Sequence, residues 1–134
     1  MKRFLMAMMC VVMALCVFGC GQSNSEKYSS LKKEVMAASD KVVAVSKDTP
    51  DILNEKYVPT KEDFAVRHMP FHERNLKAFK EIHKEVMPKL KEMEKLALKD
   101  PAIAKDWETF GPNAILYFDG IVKKEEGIIK QWKL

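Results

Sequence analysis

Past residue 20 the chain contains no cysteine, since Cys10, Cys16 and Cys20 are the three it has. A domain built from the remainder has neither a disulfide nor a thiolate metal centre, so its fold rests on apolar packing. Alternation of apolar and polar residues over a strand's length is also missing, and no sheet is expected. The sequence lacks a Gly-x-Ser-x-Gly element, a thiol with a histidine partner, a glycine-rich phosphate loop and a c-type haem attachment sequence. Catalysis therefore finds no support, and the chain reads as a non-enzyme. Nor is there an excess of charge of one sign: 23 Lys and Arg stand against 19 Asp and Glu. If Lys2 and Arg3 are removed with the front of the chain, 21 basic residues face the same 19 acids, a net +2. That balance carries no nucleic-acid footprint and no strong overall attraction to anionic lipid.

The longest apolar run spans Phe4 to Phe18, 15 residues behind the cationic pair Lys2-Arg3. It falls short of the ~20 residues that cross a bilayer as a helix but fits a signal core of roughly 7 to 15. Val17, Gly19 and Cys20 close it, with a bulky Phe18 between the first two. This resembles the signal peptide of bacterial lipoproteins, over about the first 25 residues. The resemblance implies that residues 1–19 are removed and that Cys20 becomes the new N-terminus, carrying a thioether-linked diacylglycerol and an amide-linked fatty acid. Several acyl chains make such anchoring stable, where a single chain is marginal. Gly21 follows where an aspartate is the familiar inner-membrane retention signal, which implies the outer membrane, facing the periplasm, in an organism that has one. Residues 20–25 would then be a lipidated cysteine and a short tether, and residues 26–134 a single domain.

Beyond the tether the apolar spacing is helical. Tyr28, Leu31, Val35, Ala38, Val42 and Val45 step in threes and fours, predicting a helix from about Ser25 to Lys47. Asp48-Thr49-Pro50 ends it, with Thr49 able to cap a short turn. After Val58-Pro59, the run Thr60 to Asp63 resembles a capping sequence for a short helix through Arg67. A long helix is expected from His68-Met69-Pro70 to about Lys99, with a seam at His72, Leu76, Phe79, His83, Val86, Leu90, Met93 and Ala97 and with Pro88 facing outward. Asp100-Pro101 starts the last helix. Its seam is expected at Ile103, Trp107, Phe110, Ala114, Tyr117, Ile121 and Ile128, with Lys124 in one seam position and with a break or kink at Gly111-Pro112. The fold class is all-α: an antiparallel bundle of three to four helices after an N-terminal signal helix.

Candidate sites centre on histidine. His72 and His83 fall on the apolar seam, and a neutral imidazole can ligate a metal or haem iron. Eleven residues apart, they stand ~16 Å from each other along one helix and cannot share an ion. A site would need ligands from neighbouring helices, for which Met36, Asp40, Asp119 and Glu125 have suitable chemistry. The competing reading is a histidine partly buried at a bundle end and hydrogen-bonded to a neighbour. His68, Met69 and His72 are copper-compatible types, but Pro70 is expected to push Met69 out of helical geometry and leave His68 in a solvated helix start. Trp107, Phe110, Tyr117, Phe118 and Trp132 could line a pocket or fill the core. Gly120 and Gly127, one stripe with Asn113, each cost a helix ~1 kcal/mol relative to alanine. A close helix crossing or a shallow groove for a ligand or partner helix would offset that.

The leading expectation is a lipid-anchored envelope protein that binds another protein, as an accessory subunit or structural tether, with no cofactor. The alternative is a periplasmic module that holds a metal, haem or small apolar ligand at His72 and His83.

Overall fold

The computed structural model describes residues 21–49 and 59–133. The segment expected to be a signal peptide, with Cys20, and the turn expected after Thr49, lie outside the described residues. Helix α1 (Asn24–Ser46) opens with a capping box in which Glu26 N–H donates to Ser23 Oγ (3.2 Å) and Ser23 N–H donates to the Glu26 carboxylate (3.0 Å). Ser23 to Ser25, expected in the tether, thus belong to the helix start. A single turn, α2 (Lys61–Asp63), is capped by Thr60 and runs through a π-turn (Phe64–His68) into α3 (Met69–Lys99). A one-residue break at Asp100 leads to α4 (Pro101–Lys133). Among the described residues there are only helices, and the fold is all-α.

Helix α3 is the middle of the assembly. It packs along most of α4 and along α1, whereas α1 and α4 meet over a shorter stretch. Ion pairs from Lys27 to Glu92 and from Lys41 to Glu85 record the antiparallel course of α1 on α3. The core holds Tyr28, Val35, Ala38 and Val42 of α1, which is the expected seam, with Leu31 and Val45 partly buried beside it. From α3 come Phe79, Val86, Leu90, Met93 and Ala97, as expected, and also Asn75, Ile82 and Leu96. The second row exists because a helix flanked on two sides must bury a wider face than a single seam. Pro88 is exposed, and α3 continues across it.

Helix α4 departs from expectation in two places. At Gly111-Pro112, where a break and a kink were both open, it does not break but runs for 33 residues. Gly111 is needed there, since a Cβ would sit 2.6 Å from the Trp107 ring. Beyond it the buried row is Phe118, Glu125 and Ile129, so Phe118 takes the place expected for Tyr117, and Glu125 that of Lys124. A strict seven-residue repeat drifts ~20° per heptad on a straight helix, and by the third heptad the next residue has moved into the core. Finally, a Cβ at Gly120 or Gly127 would meet nothing within 4 Å. Among the described residues the close crossing expected for these glycines is absent, and they face open space.

One polar cluster joins α1 to α4. The Tyr28 hydroxyl donates to Asp106 Oδ2 (2.8 Å), and Lys32 Nζ donates to both carboxylate oxygens (2.7 and 2.8 Å). Burial, and then donation to Asp106, push the Tyr28 phenol above its usual range. The bonds from Lys32 and Tyr28 hold the Asp106 carboxyl below the ordinary carboxylate range. A depressed carboxylate contributes stability above its unfolded pKa of ~3.9 and loses it as pH falls through the folded value. Asp106→Asn should therefore flatten the acid limb of a stability-against-pH curve below about pH 5, while wild type loses the contribution there. A pair of glycine substitutions tests the helix geometry by urea unfolding. Gly111→Ala should destabilise by roughly 1–3 kcal/mol through overpacking, and Gly120→Ala should stabilise by up to about 1 kcal/mol.

Candidate functional site

The polar and aromatic groups converge where α3 begins and α4 ends. Pro70 shapes this region, because it has no N–H to donate and its ring crowds the carbonyl four residues back. The backbone meets this by widening: Met69 N–H donates to Phe64 O, five residues earlier, and a π-turn forms. Met69 stays helical, with φ −53° and ψ −44°, which corrects the expectation that Pro70 would expel it. The extra width carries His68 inward, so it is buried in the turn instead of starting a solvated helix.

Phe64, fully buried, is the hub of the stack that results. Its ring lies near-parallel to those of Trp132 (centroids 4.2 Å apart) and His72 (5.6 Å), and at 27° to that of His68 (5.4 Å). Met69 and Ile129 complete the enclosure, with Leu76 and Ile128 half-buried around it. This cluster is separate from the main core. His68 and His72 do share one face of the helix, as their spacing of four allows, and both rest against Phe64.

Each seam histidine meets a carboxylate of α4. His72 Nδ1 lies 2.6 Å from Glu125 Oε2, both side chains being buried, and His83 Nε2 lies 2.7 Å from Asp119 Oδ1 in a half-exposed position. An ionised carboxylate can only accept, and in that state Nδ1 of His72 is the donor. That leaves Nε2 as the ring's second nitrogen, and it is buried without a hydrogen-bond partner among the described residues. In the neutral tautomer it presents a lone pair, the arrangement by which a carboxylate orients a histidine for ligation or proton transfer. Of the suitable types noted in the sequence, Asp119 and Glu125 are brought to the histidines; Met36 and Asp40 are exposed on α1. Among the described residues no three His, Cys, Asp or Glu side chains gather in metal-binding proximity. A shallow groove of ≈ 370 Å³ runs beside the cluster between α3 and α4, lined by Leu76 and Ile129 with Glu73, Lys77 and Lys80, and His72 does not border it.

Two residues without a place in the sequence reading matter here. Phe64 gave no signal, being a lone aromatic in a short connector. Asn75, 1% exposed, donates through Nδ2 to Thr49 Oγ1 and so ties the end of α1 to α3. Its signal was the alternative row His72, Asn75, Phe79, Ile82, Val86, whose steps of three and four are as regular as those of the row followed. The chain matches no protein-family model, no curated protein and no solved structure.

The buried His72–Glu125 pair should behave as a unit in unfolding experiments. His72→Leu or Glu125→Leu alone strands the other partner in an apolar enclosure and should cost roughly 2–4 kcal/mol. The double substitution should cost less than either single one, because an apolar pair replaces a desolvated polar pair. Additive losses would show that the two side chains do not depend on each other.

Proposed function

We propose that this is a lipid-anchored envelope protein whose helical domain, held at a membrane through Cys20, binds another protein as an accessory or tether. The observation that carries the protein-binding half is the outward flank of α4. Leu116 is 71% and Tyr117 39% exposed there, and Gly120 and Gly127 leave the backbone beside them uncovered. Such a flank admits a partner helix at close range, and the two glycines carry a helix cost that no contact among the described residues offsets. The anchoring half is supported by the signal-like front of the sequence and by its continuity with a well-capped helix at Ser23. Anchoring would raise the local concentration of the domain around a partner in the same membrane. Among the described residues no helix is long and apolar enough to cross a membrane.

A second reading has its own observation. The Nε2 of His72, which has no hydrogen-bond partner among the described residues and belongs to a ring held by Glu125 among Phe64 and Trp132, suits a domain that takes a metal, haem or small apolar ligand between α3 and α4. His72 and His83 are the residues to test by elemental analysis and a visible spectrum of the purified protein. A stoichiometric metal or a Soret band lost on substitution of His72 would put this reading first.

The leading reading makes a direct prediction in cells. Cys20→Ser should abolish labelling by a fatty-acid probe and move the protein from the membrane fraction to the soluble fraction or retain its uncleaved signal; unchanged labelling would overturn the anchoring. A photo-crosslinking side chain in place of Leu116 should capture a discrete partner, whereas one in place of exposed Lys33 should not.

A further inference from the structure

The tether is so short that it determines which end of the bundle faces the bilayer. Ser23 caps α1, three residues after Cys20, and three extended residues span at most about 10–11 Å. The first turns of α1 lie beside the end of α3 and the start of α4: Lys27 pairs with Glu92 (2.8 Å), and Tyr28 donates to Asp106 (2.8 Å). From Glu92, α3 continues seven residues to Lys99, about 10 Å at 1.5 Å per residue, toward the side from which the tether arrives. A bilayer that holds acyl chains on Cys20 is therefore within reach of the α3–α4 hairpin tip.

The tip has the chemistry of a lipid-facing surface. Leu98, at 82%, is the most exposed of the large apolar side chains, and Pro101 and Ala102 beside it are exposed as well. Lys95 and Lys99 lie within one turn of it on α3, and Lys105 lies in the second turn of α4; all three are exposed, and none closes an ion pair among the described residues. Of the nearby acids, Glu92 pairs with Lys27 and also feels the charges of Lys95 and Lys99, Asp106 pairs with Lys32, Glu26 closes the capping box, and Asp100 accepts through Oδ1 from the backbone N–H of Ala102 (3.0 Å). Glu94, one turn back from the tip, and Glu108, one turn beyond Lys105, are exposed acids beside them. The tip thus presents exposed lysines and an apolar side chain at the end where the proposed anchor would emerge.

We propose that the α3–α4 hairpin tip docks on the surface of the bilayer that holds Cys20, with Leu98 at headgroup depth and Lys95, Lys99 and Lys105 against the phosphates of anionic lipids. This rests on the lipid-anchor reading above. Two attachments a short distance apart convert a swinging tether into a fixed orientation, in which the bundle projects from the membrane and the Phe64–His72 cluster lies at its far end. Basic residues at an anionic surface and an apolar side chain at the headgroup boundary act together in such docking.

The test uses the full-length acylated protein reconstituted into phosphatidylcholine vesicles with and without phosphatidylglycerol. An environment-sensitive fluorophore is attached through Leu98→Cys or, at the opposite end of the bundle, through Val66→Cys, which is also highly exposed. With phosphatidylglycerol present, the probe at position 98 should shift to the blue and be quenched by lipid-borne nitroxides, and the probe at position 66 should do neither. Changing Lys95, Lys99 and Lys105 to Gln should lower the docked-to-undocked ratio, roughly fivefold for each lysine. If the acylated, vesicle-bound protein leaves both probes equally wet, the docking is overturned and the anchor stands. A probe at position 98 that turns apolar only on addition of an envelope protein extract assigns the tip to a protein and also overturns it. If mass spectrometry finds no acyl group on Cys20, the anchor and the docking fail together.

Discussion

The structure depends on one helix burying two faces. With no covalent crosslink beyond residue 20, the described chain is held by side-chain packing, and α3 supplies the surface against which both other long helices are stabilised. Val86, Leu90 and Met93, each essentially inaccessible to solvent, form the middle of that surface. Because α1 and α4 touch each other over only a short stretch, neither compensates for a defect in α3. The polar links, Asn75 to Thr49 and Tyr28 to Asp106, then set how the outer helices lie on it.

The sequence was legible where a helix packs on one side and illegible where the backbone or a crossing angle decides. The α1 row from Tyr28 to Val45 could be read directly, because α1 packs mainly against one neighbour and buries a single line of contact. On α3 the same method found one row of two, and Ile82 and Leu96 were missed because apolar residues off the first row look like ordinary surface exceptions. On α4 the row slipped by one residue after Gly111, since period 3.5 and period 3.6 diverge with length. The π-turn at Phe64–His68 had no readable cue. Pro70 announced a disturbance, but whether a helix answers proline by ending or by widening depends on what can be buried, and here Phe64 and His68 gain an enclosure by widening.

The candidate site divides in the same way. That His72 and His83 face inward followed from their position on the seam. That each would meet a carboxylate of α4 did not, since Glu125 and Asp119 lie 53 and 36 residues away and their approach depends on the register of two antiparallel helices. Glu125 was masked further by the heptad reading, which put Lys124 in its place. A basic side chain at that position would have left His72 facing a cation; the one-residue drift exchanges it for an acid.

The central position of α3 also has a consequence for how the chain is made. α1 is synthesised first, and its buried row, Tyr28, Val35, Ala38 and Val42, has no surface to cover it until α3 emerges some 30 to 60 residues later. In contrast, α3 and α4 are joined by a single residue and can pair as a hairpin through contacts close in sequence, which form quickly. The part of the protein nearest its N-terminus is thus the last to be secured. During synthesis the apolar side of α1 stays open to chaperones, or to another copy of the nascent chain, for as long as α3 is delayed.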